Sequence, residues 1–100
     1  MEHQIIRTTF YISEFTEEEK WLECQHESGW KFVKTDGKTY EFEKCPKEDW
    51  VYQLDFKASD IAEKDYLQMF ADYGWEFIQH YNHWFYFRKK KVSDDEDYSI

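Results

Sequence analysis

The chain has 100 residues, 41% of them hydrophobic and 22% aromatic, and a formal net charge of −9. That balance argues against gripping nucleic acid by its backbone or an anionic membrane surface, since both need clustered Lys and Arg. It leaves one small domain whose aromatic rings supply the buried area that a mean hydropathy of −0.97 does not suggest.

The opening "MEHQII" lacks a signal peptide's charged-then-apolar plan, and no apolar run reaches the length of a membrane span. A cytoplasmic protein is therefore expected. "TTFYI" (Thr8–Ile12) predicts a strand rich in β-branched and aromatic residues. Thr16, with Glu19 three residues on, predicts a capping box opening a helix to about Ser28, with Gly29 as its left-handed C-terminal cap. The run Glu17–Glu18–Glu19 suits the positive end of that helix. Trp30–Lys34 and Thr39–Lys44 predict two strands joined by the Asp36-Gly37 turn. "CPKED" is a linker, since Pro46 cannot donate to a ladder.

The plan then repeats. "WVYQLDFK" is a strand, Asp60 and Glu63 offer a second capping box, a helix runs to about Tyr73 and Gly74 ends it. "WEFIQ" and "WFYFRK" form a hairpin across "HYNH". Residue i laid over i+45 aligns Leu22 with Leu67, Gly29 with Gly74, Trp30 with Trp75, Phe32 with Phe77, Phe42 with Phe87 and Lys44 with Lys89. Trp21 falls on Tyr66, Tyr40 on Phe85 and Tyr11 on Phe56. That is an internal duplication. The predicted fold is α+β: tandem βαββ repeats (about 5–45 and 50–90) related by a pseudo-two-fold, in one domain spanning 1–90. The sheet is mostly antiparallel with two helices on one face. Equivalent burial is expected of Trp30 with Trp75 and of Phe42 with Phe87. Residues 91–100 form an acidic tail.

The stretches "EEEKWLECQHESGWKFVKTDGKTYEFEKC", "VYQLDFK", "DYLQMFADYGWEFI" and "WFYFRK", in that order, resemble a bacterial family known only as a domain of unknown function. Genes of that family often neighbour PadR-type transcription regulators, so the resemblance implies a regulatory context. The family has no established activity, so it implies no catalytic residue. Some relatives continue into membrane-spanning segments; for a chain ending at Ile100 no membrane attachment is expected. The element order is also similar to that of GyrI-like effector-binding domains, which set two strand-helix-strand-strand units around a ligand cleft and include sensors of aromatic cations.

Strand alternation turns Tyr40, Phe42, Phe85 and Phe87 toward the helices. It gathers Phe10, Glu41, Glu43, Asp55, Trp84 and Tyr86 on the face away from them. Rings mixed with carboxylates suit a small hydrophobic or cationic ligand. The alternatives for that face are a protein-interaction or homodimer surface, or an ordinary solvated sheet. Chemistry elsewhere is sparse. Cys24 and Cys45 make no disulfide framework, and Cys24 and His26, two apart on a helix, do not face each other. His80 and His83 lack the further ligands that zinc wants, so no metal is expected. The three glycines, Gly29, Gly37 and Gly74, each have a structural place, leaving none for a phosphate-cradling loop. The expectation is a non-enzymatic binding module without a cofactor.

Overall fold

The computed structural model describes residues 2–56 and 63–91. Two three-stranded antiparallel sheets carry the chain. Strands β1 (His3–Arg7), β2 (Trp30–Thr35) and β3 (Thr39–Lys44) form the first, in the order β1-β3-β2. Strands β4 (Trp50–Phe56), β5 (Glu76–Tyr81) and β6 (Trp84–Lys90) form the second, in the order β4-β6-β5. Helix α1 (Phe15–Glu27) and helix α2 (Glu63–Asp72) complete two βαββ repeats. The predicted Asp60–Glu63 capping box and the acidic tail beyond residue 91 lie outside the described residues.

The duplication is legible in side-chain geometry. Trp21 of α1 meets Tyr40 edge-on at 5.0 Å, and its counterpart Tyr66 of α2 meets Phe85 edge-on at 5.0 Å. Trp21 lies 5.6 Å from Phe42, and Tyr66 lies 6.1 Å from Phe87. Phe32 and Phe42 are 6.0 Å apart, Phe77 and Phe87 5.7 Å. Each helix thus covers the equivalent face of its own sheet. The backbone repeats too: the ladder register shifts between Phe32 and Lys34 and again between Phe77 and Gln79, so Val33 and Ile78 sit at matching bulges.

Burial does not follow the same symmetry. Phe42 and Phe87 are both fully buried, whereas Phe32 is 0% exposed and Phe77 40%. Trp75 is buried and Trp30 half-buried, so the expected equivalence of the two tryptophans is only local. The reason is that the second repeat packs over the first. Tyr86 of β6 sits 5.4 Å from Phe32, and Arg88 donates to the Phe32 carbonyl at 2.6 Å. Leu22, Phe32, Tyr40 and Phe42 therefore share one core with Tyr52, Leu54 and Tyr86. A second core under α2 belongs to the second repeat alone.

Two expectations at the start of the chain are corrected. The first strand is His3–Arg7, not Thr8–Ile12. β3 begins at Thr39, opposite Arg7, so the chain beyond Thr8 has only the Asp36–Lys38 turn beside it and leaves the ladder. Residues Ile12–Glu14 make a 3-10 turn instead. Nor does Thr16 cap the helix with Glu19, because α1 already begins at Phe15. Glu19 is committed elsewhere. Its carboxylate accepts the backbone N–H of Leu54 at 2.7 Å, and Glu23 accepts that of Tyr52 at 3.0 Å. One helical turn rises about 6 Å over four residues and a strand advances about 6.6 Å over two, so the spacings match. α1 thereby seals the outer edge of β4, which would otherwise offer unpaired donors.

The α1 C-terminus ends on a Gly29 N–H bonded to the His26 carbonyl; α2 ends on a full Schellman pair, Trp75 N–H to Phe70 and Gly74 N–H to Ala71. Both glycines have positive φ, +97° and +87°. A Cβ at Gly29 would stand 3.3 Å from the Cys45 carbonyl, while one at Gly74 would meet the flexible end of Lys89. Each Gly→Ala change is expected to cost about 1 kcal/mol or more in urea unfolding. Gly29→Ala should be the worse, since a carbonyl yields less than a lysine stem.

The Glu19 clamp adds a pH dependence. Burial, opposed by the Leu54 N–H and reinforced by the Glu23 and Glu18 charges, pushes the Glu19 carboxyl up from 4.5 to about 7. Between those values the folded chain holds a proton that the unfolded chain releases, so this group's contribution to stability falls as pH rises. Glu19→Gln should gain stability relative to the native chain from pH 4.5 to about 7 in denaturant midpoints; a constant difference would count against the linkage.

Candidate functional site

The six residues expected to share one face are divided among three places. Glu41 and Glu43 lie on the open face of the first sheet. Glu43 pairs there with Lys31 at 2.9 Å, and Glu41 lies 3.8 Å from His3. Asp55 shares the α2 side of the second sheet with Phe85, where it accepts a short hydrogen bond from the Tyr66 hydroxyl. Phe10, Trp84 and Tyr86 do come together, but they face α1 rather than away from the helices. Strand alternation predicts one common face only where the strands share a single sheet, and here they form two. With two sheets, the back of the second is the inside of the molecule.

Phe10, Trp84 and Tyr86 line a cleft of about 370 Å³. One wall is the segment leading from β1 into α1, with Phe10, Tyr11 and Phe15. The other is the β5–β6 turn, with Tyr81, His83 and Trp84, and the end of β4 at Phe56. Trp84 stands between Phe15 at 5.8 Å and Phe56 at 5.2 Å. Phe10 packs on Trp21 and Tyr40 at 5.5 and 6.1 Å.

The buried carboxylate in the cleft lining is Glu18, only 6% exposed. Tyr40 and Tyr86 both donate to its Oε2, at 2.8 and 2.7 Å. Its Oε1 has no hydrogen-bond partner among the described residues, and Glu18 lines the cleft. Burial raises the Glu18 carboxyl, and the Tyr86 and Tyr40 hydroxyls hold it back. Burial and the Glu18 charge push both tyrosines upward, so they remain donors.

Glu18 was the residue that sequence reasoning missed. In sequence it is one of three consecutive glutamates that suit the positive end of a helix. Its signal was spacing: Glu18, Leu22 and His26 are the buried residues of α1, each four apart.

The remaining candidates are structural. Arg88 bonds Glu76 at 2.5 Å and the Phe32 carbonyl. His26 shares a 2.7 Å hydrogen bond with the Tyr52 hydroxyl and stacks on Trp50 at 5.0 Å. Burial, aided by Arg88, lowers that imidazole to about 4, so it sits neutral in the core near pH 7. His80 stacks on Phe85 on a strand, while His83 lies in the turn against Phe56. Among the described residues no three His, Cys, Asp or Glu side chains converge as metal ligands. Both cysteines are free thiols.

Fold and cleft together define a two-repeat α+β domain with an aromatic-walled site at one end of the junction between its halves. The chain belongs to the family described as protein of unknown function DUF2812, whose model matches residues 14–99. No curated protein and no solved structure matches the chain. No helix among the described residues is long and apolar enough to cross a membrane.

The Glu18 triad can be tested by subtraction. Tyr86→Phe leaves a buried carboxylate with one donor fewer and should cost about 1–3 kcal/mol. Glu18→Gln in the same background should recover part of that loss. A double-mutant cycle in urea with coupling near zero would mean that the hydroxyl does not support the carboxylate.

Proposed function

We propose that the protein is a non-enzymatic binding module that takes a small hydrophobic or cationic ligand in the cleft between Trp84, Phe10 and Glu18. The observation carrying this reading is a buried carboxylate, Glu18, lining the cleft beneath aromatic walls. Rings offer π faces to a cation at about 0.5–2 kcal/mol each, and a desolvated carboxylate gains most from a partner charge. A volume of about 370 Å³ is at the small end for such sites. The neighbouring-gene context that the family resemblance implies fits a sensor of such ligands.

A second reading rests on the mouth of the cleft. Tyr11 and Ile12 are 79% and 70% exposed there, beside the part-exposed Phe15 and Phe56. Apolar groups so gathered also suit a protein partner or a second copy.

A thermal-shift screen of aromatic cations, with light scattering for mass, separates the two. Under the ligand reading, a hit raises the melting temperature, and Trp84→Ala abolishes the shift by at least tenfold in affinity while circular dichroism stays native. A ligand that binds Trp84→Ala equally well sits elsewhere. A dimer that Trp84→Ala or Tyr11→Ala converts to monomer favours the interaction reading.

A further inference from the structure

The two oxygens of Glu18 are not equivalent, and the difference narrows the ligand. Oε2 is occupied by two hydroxyl donors, Tyr40 at 2.8 Å and Tyr86 at 2.7 Å. Both phenols spend their single proton on it, so neither has a donor left for a ligand. Oε1 makes no hydrogen bond among the described residues, and Glu18 lines the cleft. Around it stand Phe10, Phe15, Phe56 and Trp84, which contribute apolar faces. Thr9, Tyr81, Asn82 and His83 add neutral polar groups, and Glu18 is the one carboxylate among the described lining residues, so a cationic donor is drawn to it.

We propose that the ligand is a protonated amine bearing a flat apolar body, whose N–H donates to Oε1 of Glu18 while the body lies against Trp84. A quaternary ammonium carries the same charge but no N–H, and its methyl groups hold the charge away from the oxygen. It would leave a buried acceptor desolvated and unpaired, the costly case for a polar group. A carboxylate or phosphate ligand would set like charge against Glu18, the one acidic side chain among the described residues lining the cleft. The inference rests on the cleft being a binding site and adds the class of head group.

The test compares phenethylamine, its N,N,N-trimethyl analogue and phenethyl alcohol near neutral pH, by calorimetry and by the Trp84 indole resonance. The expected result is that the amine binds at least about tenfold tighter than the trimethyl analogue, the value of one charge-assisted hydrogen bond. Glu18→Gln keeps the shape and the acceptor for the tyrosines but turns an NH2 toward the cleft. It should remove the preference while the aromatic body still perturbs Trp84. Equal or tighter binding of the trimethyl analogue overturns the inference and leaves the cleft reading standing, as does equal binding of the alcohol. No binding by any of the three also overturns it, and the cleft reading then rests on the wider screen. The comparison on the native chain decides the matter even where the Gln variant does not fold.

Discussion

Unpaired strand edges are the constraint on which this architecture depends. Two three-stranded sheets expose four edges, and each edge is a row of backbone donors and acceptors that must find partners or water. Two edges are served by side chains from the other repeat. Glu19 and Glu23 of α1 hold the β4 amides. Gln79 of β5 both accepts from the Thr35 N–H and donates to its carbonyl, at 2.9 and 3.0 Å. Arg88 adds the Phe32 carbonyl. The junction is therefore a set of backbone hydrogen bonds made by side chains, with the shared aromatic core filling the space beneath.

That arrangement explains why the two halves look alike in their rings and unlike in their burial. Ring contacts within a repeat are set by sequence 45 residues apart and survive duplication. Contacts between repeats require α1 to lie against β4, and α2 has no matching task. Phe32 is covered because Tyr86 and Arg88 reach it, whereas Phe77 retains 40% of its exposure.

Much of the fold was legible in the sequence. Both Gly-Trp corners, both following hairpins and the inward set Tyr40, Phe42, Phe85 and Phe87 follow from local chemistry and period-two alternation. The site was half legible. Trp84 and Tyr86 are conspicuous as large rings on a strand, whereas Phe10 joins them from the segment between β1 and α1. Glu41, Glu43 and Asp55 were not separated from them, because alternation names a face without saying what packs on it. Glu18 was hidden because three consecutive glutamates look interchangeable until the helix is rotated against Leu22 and His26. Its neighbour Glu19 shows the same limit: a capping-box spacing cannot compete with a strand edge one sheet away.

The repeats also differ in length at one point. Ile6 and Asp55 occupy equivalent ladder positions 49 residues apart, while Gly29 and Gly74 are 45 apart. The first repeat thus carries four more residues between its first strand and its helix. Those residues belong to the stretch that bears Phe10 and Tyr11, one wall of the cleft. An exact duplicate would have offered two related wells, one at each end. The longer connection makes the molecule lopsided, and the wall it supplies at Phe10 and Tyr11 belongs to the first repeat. If the cleft binds as proposed, one such well among the described residues would leave any sigmoidal response to arise from chains acting on one another.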